Sequence, residues 1–122
     1  MPTSDFNGQE VHVLEPVFNP SREIIVRGSS VQDMLVHIAN TLADAVQSGH
    51  SCVAVFTNSS YVCNALNFWC RDWISLAGDD GVWIGSDGSP VPHQNLLEAV
   101  LEYQYLLEMQ IFLIPPVIDT IL

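Results

Sequence analysis

The sequence predicts an α/β fold, and two patterns carry that prediction. An apolar run at residues 53–56 leads through a polar turn at residues 57–60 into an amphipathic segment, which is the pattern of a buried strand that feeds a helix. Upstream, residues 29–48 repeat apolar side chains at three- and four-residue steps, which predicts an amphipathic helix that ends at Gly49. A chain of 122 residues with 48% hydrophobic content supports a single core. We therefore predict one domain over residues 1–122.

Two β-rich runs precede the first helix. Residues 1–9 are polar and are predicted to form a mobile tail, while residues 10–18 and 22–27 flank an Asn19-Pro20-Ser21 turn. Such a turn favours an antiparallel hairpin. The helix that follows can be capped by Ser29 or Ser30, and its core stripe is predicted to be Val31, Leu35, Ile38, Leu42 and Val46.

The second half of the chain predicts further helices and a last strand. A loop rich in Gly and Asp at residues 78–81 leads to a helix at about residues 94–107, followed by a strand at residues 111–114. The predicted core stripe of that helix is Leu97, Val100, Leu101 and Leu107. Trp69, Trp73 and Trp83 could stack on nucleic-acid bases, but their spacing favours a role as core fillers.

The charge balance argues against a polyanionic ligand. The net charge is -11, from 14 acidic residues against Arg22, Arg27 and Arg71, and there is no lysine. Binding to nucleic acid depends on Lys and Arg contacts to phosphates, so we expect it to be weak or absent. Charged residues make up only 14% of the chain, well under the usual quarter, which favours a surface that a partner covers.

The remaining composition places the protein in a reducing compartment. Neither a basic and apolar leader nor a membrane-length apolar run is visible, so we expect a soluble protein with no membrane association. Cys52, Cys63 and Cys70 are odd in number and lack CxxC spacing, which favours reduced thiols. The predicted location is intracellular, either cytoplasmic or nuclear.

The central segment resembles the ribonuclease H family. Family members read TDSxYVxxxxxxWxxxW, then GW, then GxPVxNxDLW; this chain has Thr57-Asn58-Ser59-Ser60-Tyr61-Val62, then Trp69 and Trp73, then Val82-Trp83, then GSPVPHQNLL at residues 88–97. The match covers roughly residues 29–114, about two thirds of the chain. The resemblance implies a truncated ribonuclease H-like mixed sheet with flanking helices. It also implies a carboxylate cage that holds two Mg²⁺ ions and hydrolyses the RNA strand of RNA-DNA hybrids.

The resemblance assigns the four family carboxylates to positions that this chain only partly preserves. The first-strand Asp is missing or replaced by Glu15, the helix Glu corresponds to Asp33, the Asp of TDS corresponds to Asn58, and Asp119 is the substitute for the last ligand. Asn58 supplies a neutral carbonyl that cannot bridge two metal ions as a carboxylate does. Alternative roles are helix capping by Asn58 and Ser59, and a favourable helix-dipole contact for Asp33. We therefore expect no catalytic residues, metal or cofactor, and Mg²⁺ only if the enzyme is active.

The histidines offer one further candidate metal pair. His37 lies four residues after Asp33, which is compatible with shared metal ligation, although a helix-surface histidine is the more common arrangement. His12, His50 and His93 are isolated in sequence, and His93 is expected to cap the last helix or lie in a loop.

These observations predict a pseudoenzyme. We expect a catalytically inactive ribonuclease H-like domain that acts as a protein-interaction or assembly module. The alternatives are a residual ribonuclease H, an acidic decoy for a basic nucleic-acid-binding protein, and a small-molecule-binding module.

A homodimer is the predicted assembly. In the family the first strand is central, so its loss would leave a slot beside residues 53–56 that residues 11–17 or a second chain would fill. The apolar side chains Leu96 and Leu106 and residues 111–122 favour self-association as well.

Overall fold

The computed structural model describes residues 17–115, which form a three-stranded parallel sheet and its helices, so the predicted α/β class is confirmed. In chain order the elements are β1 (Arg22–Val26), α1 (Val31–Gln47), β2 (Cys52–Thr57), α2 (Ser60–Asn64), a π-helical turn (Ala65–Trp69), α3 (Cys70–Leu76), α4 (Gln94–Glu102), a 3₁₀ turn (Tyr103–Tyr105) and β3 (Glu108–Leu113). Among the helices of this described part, none is both long and apolar enough to cross a membrane.

The sheet has the order β1-β2-β3, and both pairings are parallel. The β1 pairing runs from Arg22↔Val53 to Val26↔Thr57, and the β3 pairing runs from Cys52↔Glu108 to Thr57↔Leu113. Over residues 17–115, the only antiparallel pairing is an isolated bridge between Ile84 and Pro90, so the antiparallel strands of the predicted mixed sheet are not found there.

The slot beside the central strand is filled by β1, so the prediction that residues 11–17 or a second chain would fill it is wrong. Four residues connect β1 to α1, and this short connection joins β1, α1 and β2 into one parallel βαβ unit. Residues 22–26 therefore form a parallel pair with β2. Residues 10–16, the other half of the predicted hairpin, lie outside the described residues, as does the predicted tail at residues 1–9.

Helix α1 forms where the apolar periodicity predicts it. Ser30 is the N-cap, since its side-chain oxygen accepts a hydrogen bond from the Asp33 N–H at 3.3 Å. Gly49 ends the helix with a φ of 85°, a left-handed conformation that suits glycine. The buried residues of the helix are Met34, Leu35, Ile38, Leu42 and Ala45, while Val31 and Val46 are only partly buried.

One face of the sheet carries the core. Val53, Val55 and Thr57 of β2 are buried and alternate with Cys52, Ala54 and Phe56, which point to the opposite face. Both crossovers proceed in the same direction across the sheet, so right-handed connections place α1 and α4 on the same face. The described helices therefore cover only one side of the sheet.

The opposite face carries a row of large apolar side chains. Ile25, Phe56 and Phe112 are register partners across all three strands, and we call them the apolar row. Ile25 is 60% exposed and Phe112 is 37% exposed. The Phe56 and Phe112 rings stack with centroids 5.3 Å apart, and the centroids of the Phe18 and Phe112 rings are 6.2 Å apart.

The end of the described chain differs from its predicted boundaries. Helix α4 ends at Glu102, a 3₁₀ turn follows, and β3 begins at Glu108, three residues earlier than predicted. The early start is fixed by a hydrogen bond from the Glu108 N–H to the Ser51 carbonyl at 2.8 Å. Leu97, Val100 and Leu107 are buried as predicted, and Leu96 packs against the core, whereas Leu106 is exposed.

Candidate functional site

The turn after β2 brings Asn58 against the loop that follows β1. The Asn58 Oδ1 accepts a long hydrogen bond from the Gly28 N–H at 3.4 Å. Thr57 is fully buried, and its hydroxyl oxygen accepts from the Ser59 N–H at 3.1 Å. Ser59 caps α2 by accepting from the Val62 N–H at 3.1 Å. The predicted capping role is therefore confirmed for Ser59, whereas Asn58 makes a contact between loops.

The position of Asn58 is poorly suited to a metal ion. An N–H group carries partial positive charge, so an oxygen that faces one is a weaker cation ligand than a free carboxylate. Asp33 is exposed in the first turn of α1 and shares a cavity of about 250 Å³ with Arg27 and His37. The positive charge of Arg27 at this cavity disfavours the binding of a metal ion there, because like charges repel.

Of the four positions that correspond to the family carboxylates, the structure describes two, Asp33 and Asn58. Glu15 and Asp119 lie outside the described residues. Within residues 17–115, no group of three or more His, Cys, Asp or Glu side chains is arranged to hold a metal ion. The described residues do not fit a pair of Mg²⁺ ions, because the Asn58 amide stands at one family carboxylate position and faces an N–H, and at another Asp33 shares its cavity with Arg27.

A second pocket, larger than the cavity at Asp33, includes Tyr61, which directly follows the turn at residues 57–60. We call it the aromatic pocket. Its volume is about 640 Å³, within the ~300–1,000 Å³ range of small-ligand sites. The helical wall consists of Tyr61, Trp69, Asp72 and Trp73, and the loop wall consists of Gly85, Ser86, Asp87, Ser89, Pro90, Val91 and Pro92.

The π-helical turn aligns the aromatic side chains of the helical wall. In a regular α-helix of about 100° per residue, Tyr61 and Trp69 would lie about 80° apart around the axis. A π-helical turn accommodates one additional residue, which reduces that offset to about 20°. Trp73 follows Trp69 by four residues and shares its face. The Tyr61 and Trp69 ring centroids are consequently 5.6 Å apart, and those of Trp69 and Trp73 are 6.2 Å apart.

The loop wall is a tight turn with its own hydrogen bonds. The Gly85 N–H donates to the Ser89 carbonyl at 2.8 Å, and Gly88 adopts a φ of 84°. The Asp87 Oδ1 accepts from the Ser89 hydroxyl at 2.7 Å and from the Ser89 N–H at 3.1 Å. These two bonds, the hydroxyl first, lower the pKa of Asp87 below its usual value. Asp87 is therefore negatively charged at neutral pH.

Gln94 fastens the base of this loop to α4. Its Oε1 accepts from the backbone N–H of Trp83 at 2.8 Å. Its Nε2 donates to the Gly81 carbonyl at 2.8 Å and to the Glu98 carboxylate at 3.1 Å. The rings of Trp73 and Trp83 are 5.9 Å apart, so the loop base also packs on the helical wall. Gln94 thus ties the loop base to α4, and the Trp83 ring packs that base on the helical wall.

The charge of the aromatic pocket is negative. Asp72 and Asp87 are its charged lining residues, and no arginine is among the residues that line it. Arg22 pairs with Asp44 at 3.0 Å, Arg27 lies at the smaller cavity, and Arg71 lines a separate cavity with Cys70 and Ile74. Burial, followed by the nearby Cys70, raises the pKa of Tyr61, so its hydroxyl stays protonated at neutral pH. The site suits a cation better than an anion.

Sequence reasoning placed only part of this site. Trp83 is buried as a core residue, as predicted, but Trp69 is 38% exposed and lines the pocket, so its assignment to the core is wrong. Trp73 is half-buried: it packs against the core and also lines the pocket. The Trp69 and Trp73 pair at four-residue spacing, with Asp72 between them, was the available sequence signal. The π-helical turn that aligns Tyr61 with them has no such signal.

The described histidines have separate positions. His93 occupies the N-cap position of α4 with a φ of 60°, but its side chain makes no capping hydrogen bond. The predicted cap position is confirmed, and a capping hydrogen bond from its side chain is not found. The His50 Nδ1 shares a hydrogen bond with the Ser21 hydroxyl at 2.8 Å. His12 lies outside the described residues.

Comparisons with family models, curated proteins and solved structures find no match to this chain. The fold and the site define a small α/β protein with a parallel sheet, an aromatic and acidic pocket, and an apolar sheet face that the described helices leave uncovered. Membership of the ribonuclease H family stays a prediction.

Proposed function

We propose that this protein is a catalytically inactive ribonuclease H-like domain that acts as a protein-interaction module, and that it self-associates as a homodimer through the apolar row. The observation that carries this proposal is the alignment of Ile25, Phe56 and Phe112 across the sheet face opposite the helices. Aligned exposed apolar side chains are typical of protein-protein contact sites.

The surroundings of the apolar row support an interface. Glu23, Ala54 and Gln110 form the next row on the same face, so polar side chains adjoin the apolar ones. Protein interfaces have this arrangement of an apolar centre and a polar rim. Two copies of the face can pack about a two-fold axis, since sheets stack face to face at ~10 Å and a two-fold interface uses the same patch twice.

The proposed lack of hydrolysis rests on the residues at the end of β2. Two-metal hydrolysis needs carboxylates that offset roughly +4 of metal charge. At the described family positions, Asn58 offers an amide oxygen that faces the Gly28 N–H, and Asp33 shares its cavity with Arg27. Both features disfavour the cation pair, which supports a binding role over a catalytic one.

The self-association proposal is tested by measuring molar mass in solution. We expect light scattering of wild type at tens of micromolar to report a dimer. Phe112→Glu and Ile25→Glu should be monomers, because each places a charge in the apolar row. Leu76→Glu is the matched control, since Leu76 is an exposed apolar residue at the end of α3, and it should remain a dimer.

Two outcomes count against the proposed interface. A monomeric wild type with normal thermal stability would remove self-association. A dimer that both apolar-row variants leave intact, with unchanged circular dichroism, would place the interface elsewhere.

A further inference from the structure

The aromatic pocket combines ring surfaces with negative charge. Its walls present Tyr61, Trp69 and Trp73 together with Asp72 and Asp87. We propose that this pocket binds an arginine or lysine side chain from a basic segment of a partner protein. This interaction is additional to the self-association proposed above, since no residue of the apolar row lines the pocket.

The aromatic walls supply one attraction for such a side chain. The face of an aromatic ring is negative, and a cation within ~6 Å of a ring centroid is attracted to it, most strongly by tryptophan. Trp69 is 38% exposed, so part of its ring is open to a ligand. Trp69 contacts Tyr61 on one side and Trp73 on the other, which fixes the ring in place before a ligand arrives.

The carboxylates supply the second attraction, and they come from different walls. Asp72 belongs to α3 and Asp87 belongs to the loop. A guanidinium or ammonium group between the walls can donate charge-assisted hydrogen bonds to both carboxylates. Asp87 is already held in place by the two hydrogen bonds from Ser89.

None of the three arginines lines the pocket. Each of the three arginines lies at another place: one pairs with Asp44, and the other two line different cavities. The chain has no lysine. The negative field of the pocket is therefore not neutralised by a described side chain.

The net charge and the volume favour a peptide over a small cation. A charge of -11 attracts a segment with several positive charges more strongly than a single ion. The volume of about 640 Å³ leaves room for residues beside the cationic one, and Pro90 and Pro92 offer apolar surface for them.

The test titrates the full-length protein with the peptide acetyl-Gly-Arg-Gly-Arg-Gly-amide and with its citrulline analogue, which keeps the shape and removes the charge. The tryptophan indole N–H signals are followed by NMR. We expect saturable shifts for Trp69 and Trp73, and a smaller response for Trp83, which does not line the pocket. The citrulline peptide should bind about tenfold more weakly.

Variants identify the groups responsible. Trp69→Ala should weaken binding of the arginine peptide about tenfold, and Asp87→Asn about fivefold, since the cation loses a ring in one and a charge in the other. Asparagine retains the oxygen that accepts from Ser89. Asp80→Asn is the matched control, because Asp80 also accepts from a backbone N–H two residues later but does not line the pocket. It should bind like wild type.

Several results would overturn the proposal. They are equal affinity for the citrulline peptide, no shift at about 10 mM arginine peptide, and wild-type affinity in Asp87→Asn. Tetramethylammonium binding as tightly as the peptide would assign the pocket to a small cation instead. If Trp69→Ala fails to fold, Asp87→Asn decides, since that side chain is exposed. Phe112→Glu should bind the peptide normally, so the two proposals can fail separately.

Discussion

Replacing Gln94 with alanine should destabilise the protein and loosen the loop wall of the aromatic pocket. The substitution removes the acceptor for the Trp83 N–H and the donor to the Gly81 carbonyl, both at 2.8 Å. Trp83 is only 3% exposed, so its N–H is poorly placed to bond water instead. Two lost hydrogen bonds, one of them to a shielded group, amount to about 2 kcal/mol of unfolding free energy.

The assay for Gln94→Ala is chemical and thermal denaturation beside wild type. A loss of about 2 kcal/mol corresponds to a fall in Tm of about 8 °C for a domain of this size and to a urea midpoint lower by about 1 M. Gln104→Ala is the control, since Gln104 is an exposed glutamine in the 3₁₀ turn. If the unfolding free energy of Gln94→Ala lies within about 0.5 kcal/mol of that of wild type, the Gln94 side chain does not hold the loop.

Three further predictions concern chemistry. Wild type should not cleave an RNA-DNA hybrid with Mg²⁺ or Mn²⁺, and Asn58→Asp alone should not restore turnover; cleavage by wild type that Asp33→Ala abolishes would contradict this. Binding to hybrid or duplex near physiological salt should be weaker than the usual non-specific ~10⁻⁴ to 10⁻⁶ M, because the net charge is -11; sub-micromolar binding with a steep salt dependence would show the opposite. Burial raises the pKa of Cys70 to about 12, so at pH 8 its thiol should react with DTNB about 10³-fold more slowly than free cysteine; rapid modification of Cys70 in the folded protein, read by mass spectrometry, would argue against it.

Local patterns in the sequence were enough to place most of the helices and strands. The spacing of Leu35, Ile38 and Leu42 predicted α1, and all three are fully buried. The apolar run at residues 53–56 predicted the central strand, because a strand buried on the core face and partly covered on the other requires nearly continuous apolar side chains.

The pairing of β1 was not predictable from those patterns. An Asn19-Pro20-Ser21 turn favours a hairpin locally, but the pairing depends on which strand the backbone of residues 22–26 reaches in three dimensions. The parallel register with β2 is a long-range property that no local signal encodes. The prediction that residues 11–17 or a second chain would pair beside the central strand failed for this reason.

The candidate site likewise has a part that the sequence predicted and a part that it did not. The chemical identity of Asn58 and Asp33 could be judged from sequence, since it depends only on which side chain is present. The aromatic pocket depends on a π-helical turn at residues 65–69 and on a loop that Gln94 fastens to α4. Such turns follow from packing over several elements rather than from a residue pattern.

The most direct test of the proposed module is an isotope-filtered NOE experiment on a mixture of labelled and unlabelled protein, which detects only contacts between protomers. The proposed interface predicts intermolecular NOEs that join the Ile25 methyl groups to the Phe56 and Phe112 rings of the partner copy. The NOEs between Ile25 and Phe56 should disappear in Phe112→Glu and persist in Leu76→Glu. Intermolecular NOEs confined to other surfaces, or none at a concentration where scattering reports a dimer, would contradict an interface through the apolar row.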